Sequence, residues 1–337
     1  MSLDFKLQED MISDEDTDRM VAHLRSGARL TMSDKVREFE TAFAAHLGVP
    51  HAVMVNSGSS ANLLMLAAAT NPDFGNTIAP GCEVLVPCVC WSTSLAPVLQ
   101  TGLVPVLVDV DPVTFQVDLA DMRRKIGLRT AAVLLVHVIG NCVDMDQVMD
   151  LAFEHGLEVF EDTCEALGTR YKGRHLGLFG RYGSYSFNYS HHITCGEGGM
   201  VVCQSQQDAD LLRCLRAHGW SRDMSTHAEL AAASPDIDPR FLFVNMGFNL
   251  RPQELNAVLG LSQLERVEDF NRFRKRNYST RFSRVLECSS RYRANSRHTH
   301  YFHSIPLQKL QGACARPLKL YTLHVSKQDV PRPVDIS

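Results

Sequence analysis

The chain has 337 residues and a formal net charge of −4; 45% of its residues are hydrophobic and 21% are charged. This length and balance predict a globular protein with one large domain and a smaller one. The acidic excess excludes a general nucleic-acid binder, and no apolar run approaches the roughly 20 residues that span a bilayer.

The opening MSLDFKLQEDMISDED is acidic and has no apolar signal core, so a cytoplasmic location is expected. We take residues 1–30 as an N-terminal segment, 31–270 as a large domain and 271–337 as a C-terminal segment. SDKVREFETAFAAHLG reads as a helix, with Val36, Phe39, Phe43 and Leu47 on one face. Ser33 or Asp34 would cap its start, and Gly48 followed by Pro50 would stop it. HAVMV is a short strand, and NSGSSANLLMLAAA turns into a second helix. EVLVP (strand), WSTSLAPVLQTG (helix), VPVLVDV (strand) and AAVLLVHV (strand) follow. DMDQVMDLAFEHG is a helix and LEVFEDT a strand, and YGSYSF with GGMVVC is a strand pair. These strands are nearly continuous apolar runs, which predicts a mostly parallel α/β sheet buried on both faces. RPQELNAVLGLSQLERVEDFNRFRKR reads as one long helix with Pro252 in its first turn; Leu255, Val258, Leu259, Leu261 and Leu264 supply its apolar face. Beyond about Leu286 the sequence is basic, rich in histidine and without a sustained period.

Ten cysteines are scattered through apolar segments, and free buried thiols are expected. Cys88 and Cys90 form a C-V-C pair with no second pair to complete a zinc or iron–sulfur site, so no metal site is expected.

Ligands of such sheets bind at the carboxyl ends of the strands, and four features lie there. Gly58, Ser59 and Ser60 open a helix after a strand. Free backbone N–H groups there suit a phosphate, and a plain capped helix start explains them too. Asp162 ends LEVFEDT and is either a partner for a protonated pyridine nitrogen or a helix cap. Trp91 opens a helix after VPCVC, where an indole stacks on a flat ring or fills core. His191 lies five residues after Ser186 and before Gly196, Gly198 and Gly199. A pyridoxal enzyme normally offers a lysine there, but no lysine occurs between Lys172 and Lys275. A structural histidine remains the other reading, and His192 beside it competes for either role.

Together, VNSGSSANLLML, VPCVCWSTSLAPVLQTGLVPVLVDVDPVTFQVD, EDTCEALGTRYKGRHLGLFGRYGSYSF and GEGGMVV resemble the nucleotide-sugar aminotransferase family of the DegT/DnrJ kind. These are fold-type I enzymes dependent on pyridoxal 5'-phosphate (PLP), and the resemblance runs from about residue 10 to about 285. SHHIT, RAHGWSR and GFNLRP are similar to the branch of GDP-4-keto-6-deoxy-D-mannose 3-dehydratases, in which histidine replaces the Schiff-base lysine. The resemblance implies that the cofactor, as PLP or pyridoxamine 5'-phosphate (PMP), is held without a covalent tether, with His191 as the catalytic base. It implies phosphate contacts from Gly58, Ser59, Ser60 and Ser186, stacking by Trp91, and a pyridinium partner in Asp162. Glu165 stands where many relatives have glutamine, near the ring hydroxyl. Asn249 is implied to reach the phosphate of a neighbouring subunit, hence a homodimer. The implied substrates are a nucleotide-linked 4-keto-6-deoxy sugar and, as amino donor, glutamate; the 3-hydroxyl is lost. A related branch uses an iron–sulfur cluster, but its cysteine cluster is missing after RAHGWSRDM. Two alternatives stay open: an aminotransferase drawing an amine from Lys309 or Lys319, and an impaired relative serving as a partner subunit. The second is suggested by a C-terminal segment that reads as a remnant of, or divergent from, the family's small domain.

Overall fold

The structure is a computed structural model that describes residues 11–72 and 78–276. The expectations for the C-terminal segment beyond 276, Lys309 and Lys319 included, lie outside the described residues.

The chain begins with α1 (Asp14–Arg25) and α2 (Asp34–Leu47), then β1 (His51–Val55) and α3 (Gly58–Ala69). β2 (Glu83–Pro87), α4 (Ser92–Gln100), β3 (Val104–Val108), α5 (Leu119–Lys125), β4 (Thr130–Val136), α6 (Met145–His155) and β5 (Glu158–Asp162) continue the alternation. A small hairpin of β6 (Arg170–Tyr171) and β7 (Arg174–His175) precedes β8 (Tyr182–Ser186) and β9 (Gly199–Cys203). Helices α7 (Gln206–Arg216), α8 (His227–Ala233) and α9 (Glu254–Leu264) complete the described chain. Seven strands form one sheet in the order β1-β9-β8-β5-β4-β2-β3. β9 runs antiparallel to both neighbours, and every other pairing is parallel. The mostly parallel α/β sheet read from the apolar runs is therefore present, and YGSYSF with GGMVVC is its antiparallel pair.

Apolar side chains cover both faces. Leu64 and Leu66 of α3 and Leu211 and Leu212 of α7 pack with Val53, Val84 and Leu134. Phe39 and Phe43 of α2 pack with Tyr185, Phe187 and Met200, and the rings of Phe43 and Tyr185 meet edge to face at 5.1 Å. Met145, Val148 and Leu151 of α6 lie on Leu85, Val133 and Val159.

Three local readings are corrected. The long C-terminal helix is broken: α9 stops at Leu264, a turn takes 265–266, and helix resumes over 267–276. Polar anchoring at the break accounts for it: Glu265 pairs with Arg19, and Arg266 with the buried Asp16 of α1. Pro252 precedes the N-cap Gln253 instead of sitting in the first turn. The side chain of Ser33 makes no capping bond on α2. The buried Glu254 caps it from across the fold, accepting from the backbone N–H groups of Ser33 (2.7 Å), Lys35 (2.9 Å) and Val36 (3.0 Å). This carboxylate joins α9 to α2 and answers the helix's positive end.

Removing that cap strands three donors, so Glu254→Ala is expected to cost about 2–3 kcal/mol in urea denaturation. His175 supplies a pH test. It is buried against His46 at 5.6 Å between ring centroids, and neither of its ring nitrogens has a hydrogen-bond partner among the described residues. Burial, then the charges of Arg170 and His46, lower its pKa from 6.5 to about 4. A base depressed in the folded state stabilises it above the ordinary value and loses that contribution as pH falls toward the folded one. Stability should fall by roughly 2 kcal/mol between about pH 7 and pH 5, and His175→Phe should flatten that fall.

Candidate active site

The crevice outside the carboxyl ends of the parallel strands holds a cavity of about 480 Å³. β5 delivers Asp162 to its floor, 4% exposed. Asp162 Oδ2 accepts from Asn62 Nδ2 and Ser94 Oγ, each at 2.7 Å, and Oδ1 accepts from the N–H of Cys164 at 3.1 Å. Asn62 is on α3 and Ser94 is in the first turn of α4, so three elements converge on one carboxylate. Asn62 Oδ1 in turn accepts from Ser184 Oγ of β8 at 2.6 Å. Three donors are thus aimed at one buried carboxylate. Trp91 is the N-cap residue of α4, and its indole is left 73% exposed at the cavity mouth.

The opposite wall is the start of α3. Ser57 caps it, its hydroxyl accepting from Ser60 N–H at 3.1 Å. Gly58 lies so close to Ser186 that an added Cβ would fall 2.4 Å from the Ser186 Cβ. Gly199 is under the same constraint, with Ser57 O at 2.3 Å from an added Cβ. The chain thus brings a helix N-terminus, Ser59 and Ser186 together at one end of the cavity. Ser59 Oγ lies 2.8 Å from Thr93 Oγ1.

His191 sits on a loop between β8 and β9 with its side chain on the cavity wall. Its backbone N–H donates to Asn188 O at 3.1 Å, and its carbonyl accepts from Arg274 at 3.1 Å. Asn188 also donates to Glu197 Oε1 at 3.0 Å, and Asn256 of α9 holds the carbonyl of Cys195 at 2.8 Å. Burial lowers the pKa of His191; the carboxylates Asp162 and Glu197 partly offset this, while Arg274 adds to it. The imidazole is therefore held as a neutral base. Among the described residues, no lysine lines this cavity.

Glu165 and His137 form the remaining polar wall. Glu165 Oε2 accepts from Ile139 N–H at 2.6 Å. Burial raises its pKa, Ile139 N–H opposes the rise, and the charge of Asp162 adds to it. His137 Nε2 lies 3.1 Å from Glu161 Oε2, both side chains being fully buried. Glu161 also accepts from the N–H groups of Gly177 (2.8 Å), Phe179 (2.6 Å) and Gly180 (2.9 Å). With three backbone donors already on Glu161, His137 Nε2 faces it as a further donor.

Gly58, Ser59, Trp91, Asp162, Glu165, Ser186 and His191 all lie on one cavity wall. Ser60 and Asn249 do not. The Ser60 hydroxyl donates to Asn56 Oδ1 at 2.6 Å. Asn249 is exposed elsewhere, accepting from Arg251 at 3.1 Å. His192 points inward and is buried, which separates the two adjacent histidines. Asn62, Ser94, His137, Asn188 and Glu197 are site residues that the motifs alone do not reveal. Two carried a signal. Asn62 is one helical turn beyond Gly58, on the same side, and His137 follows the strand AAVLLV at its carboxyl end, as Asp162 ends its own.

Residues 10–325 match the DegT/DnrJ/EryC1/StrS aminotransferase family. The chain is 37% identical over 253 residues to GDP-4-keto-6-deoxy-D-mannose 3-dehydratase of Yersinia pseudotuberculosis, covering 73% of this chain and 63% of that protein. It is 36% identical over 280 residues to dTDP-4-dehydro-2,6-dideoxy-D-glucose 3-dehydratase of Saccharopolyspora spinosa, covering 79% and 60%. The chain thus spans somewhat under two thirds of the length of these curated relatives. Among solved structures, Escherichia coli GDP-4-keto-6-deoxy-D-mannose 3-dehydratase with bound hydrated PLP superposes with a TM-score of 0.81 at 30% identity, covering 88% of this chain and 77% of that one.

The opposing charges around His191 are separable. Glu197→Gln removes one carboxylate that raises its pKa, so the His191 pKa should move further down. A pH titration of the imidazole by NMR reads this; an unchanged or higher value would discount Glu197 as a source of field at the imidazole.

Proposed function

Because this chain belongs to the DegT/DnrJ/EryC1/StrS aminotransferase family, we propose that it is a nucleotide-sugar 3-dehydratase using PLP or PMP without a covalent tether. The observation that carries the reading is His191: an imidazole on a cavity wall to which the described residues contribute no lysine. The cavity's donors fit such a cofactor. Gly58 N–H, Ser59 and Ser186 would hold its phosphate, Trp91 would stack on its ring, and Asp162 would accept from the ring N–H. Ser60 would act through the helix cap, since its hydroxyl is committed to Asn56. When bound, the cofactor supplies a protonated ring that serves as an electron sink.

The protein's own part is proton movement and exclusion of water. His191 is neutral because it is buried, so it can take a proton at an imidazole nitrogen. The protonated ring then stands ready to return it to the oxygen of the departing 3-hydroxyl of a nucleotide-linked 4-keto-6-deoxy sugar. Asp162 is held in place by Asn62, Ser94 and Cys164 N–H. Glutamate is the proposed amino donor. The aminotransferase reading needs a primary amine in the cavity, and its described wall offers none.

A homodimer is part of the same proposal. Exposed Asn249 lies beside Phe241, Phe243, Met246 and Phe248, which are also exposed. Apolar side chains concentrated this way fit a surface that another copy covers, with Asn249 reaching the neighbouring phosphate. A cytoplasmic location is proposed with it; among the described residues no helix is long and apolar enough to cross a membrane.

Two measurements test the reading. Protein reduced with borohydride and then denatured should release its cofactor, and retention would defeat the non-covalent site. Incubation with a GDP-4-keto-6-deoxy sugar and glutamate should release ammonia, and His191→Asn should slow this at least about 100-fold. Bound cofactor with no turnover of the wild-type protein would favour the impaired relative instead.

A further inference from the structure

The cavity wall carries three carboxylates, Asp162, Glu165 and Glu197, and the first two, three residues apart, have unequal surroundings. Asp162 accepts from three donors drawn from three elements. Glu165 accepts from one, the N–H of Ile139. That donor comes at a conformational cost, because Ile139 is β-branched and sits at φ 54°, a left-handed geometry worth about 1–3 kcal/mol of strain. The other titratable groups on the cavity wall are Cys90, His137, Cys164, His191 and Glu197. Among the described residues, neither lysine nor arginine lies on that wall. His137 spends its Nε2–H on Glu161. Burial first, with Asp162 adding to it, pushes the Cys164 thiol far up, so it stays protonated and uncharged. Asp162, Glu165 and Glu197 thus share the cavity with no lysine or arginine beside them among the described residues, and like charges sharing one low-dielectric site do not all ionise.

We infer that Glu165 works as a neutral carboxylic acid, its hydroxyl donating a hydrogen bond to an acceptor oxygen of the bound ligand while Asp162 carries the negative charge. Burial and the neighbouring Asp162 charge both act in this direction, and the single Ile139 N–H opposes it. The pair asks for complementary ligand chemistry: a proton-bearing ring nitrogen facing Asp162 and an electron-rich oxygen facing Glu165. The inference rests on the proposed function, in which the ring's phenolic oxygen is that acceptor, and it adds a pH limit to the site. Deprotonation of Glu165 would set a third negative charge against an oxygen and a phosphate.

The test compares PLP binding by the wild type, Glu165→Gln and Glu165→Met, followed by tryptophan quenching from about pH 5 to about pH 9. Glutamine keeps a neutral donor at every pH. The wild type should lose affinity relative to Glu165→Gln by about tenfold per pH unit once Glu165 ionises. Glu165→Met, of similar volume and without a donor, should bind more weakly at all pH values with no such decline. Infrared spectra of the cofactor-free protein near neutral pH should show a protonated-carboxyl band that both variants lack. Parallel pH curves for wild type and Glu165→Gln, or no difference in that band, would overturn the inference. Failure of all three proteins to bind PLP would sink the proposed function, and the infrared band would then decide the state of Glu165 alone.

Discussion

Asp162 is a carboxylate taken almost entirely out of water and satisfied by three donors, each from a different place in the chain. Burying such a charge is costly unless its hydrogen bonds are made good. The fold supplies them at fixed positions: Asn62 from α3, Ser94 from α4, and the backbone beyond β5. Once these three meet, the start of α3 and the start of α4 are locked at a set distance from the end of β5. The phosphate-facing helix end and the indole of Trp91 then lie on one cavity without further adjustment. Asn62 extends the lock to Ser184, so β8 is registered by the same network, and β8 launches the His191 loop. Loss of any of these donors would leave the buried carboxylate one hydrogen bond short.

Much of this was legible in the sequence. The strands from EVLVP to GGMVVC are apolar nearly throughout because the sheet is covered on both faces, and period and length alone locate them. The functional positions were legible for a related reason: in an open parallel sheet, whatever polar residue ends an apolar strand must face the crevice, and Asp162 and the Gly58 turn obey that rule. What stayed hidden depends on distant pairing. The cap of α2 comes from Glu254, more than two hundred residues away, and no local signal distinguishes it from an ordinary helix-start glutamate. The break after Leu264 is set by Arg19 and Asp16 reaching across from α1. Asn62 and Ser94 look like unremarkable residues of helix starts until the carboxylate they serve is placed between them. His191 and His192 could not be told apart by residue type and spacing alone; the family resemblance singled out His191, and the loop's path places its ring on the cavity and that of His192 in the core.

A covalent tether fixes a cofactor with a single bond, and a site without one must reach the same order through shape. The His191 loop is built accordingly. Asn188 bridges to Glu197 across it, Asn256 grips Cys195 from α9, and Arg274 grips the carbonyl of His191 itself. The helical run beyond α9 therefore participates in the site by holding backbone, with no side chain on the cavity wall.

The same logic explains why the imidazole suits the position electrostatically. A lysine ammonium there would sit beside Asp162 and Glu197 as a permanent countercharge, with reason to ionise Glu165 as well. A neutral imidazole does not. Under the proposed function it leaves Asp162 to face the ring nitrogen, leaves Glu165 free to keep its proton, and gains charge only at the step where it takes up a proton. The replacement of amine by imidazole thus changes more than the nucleophile: it removes a fixed positive charge from a buried cavity, and the protonation states of the two carboxylates follow from that removal.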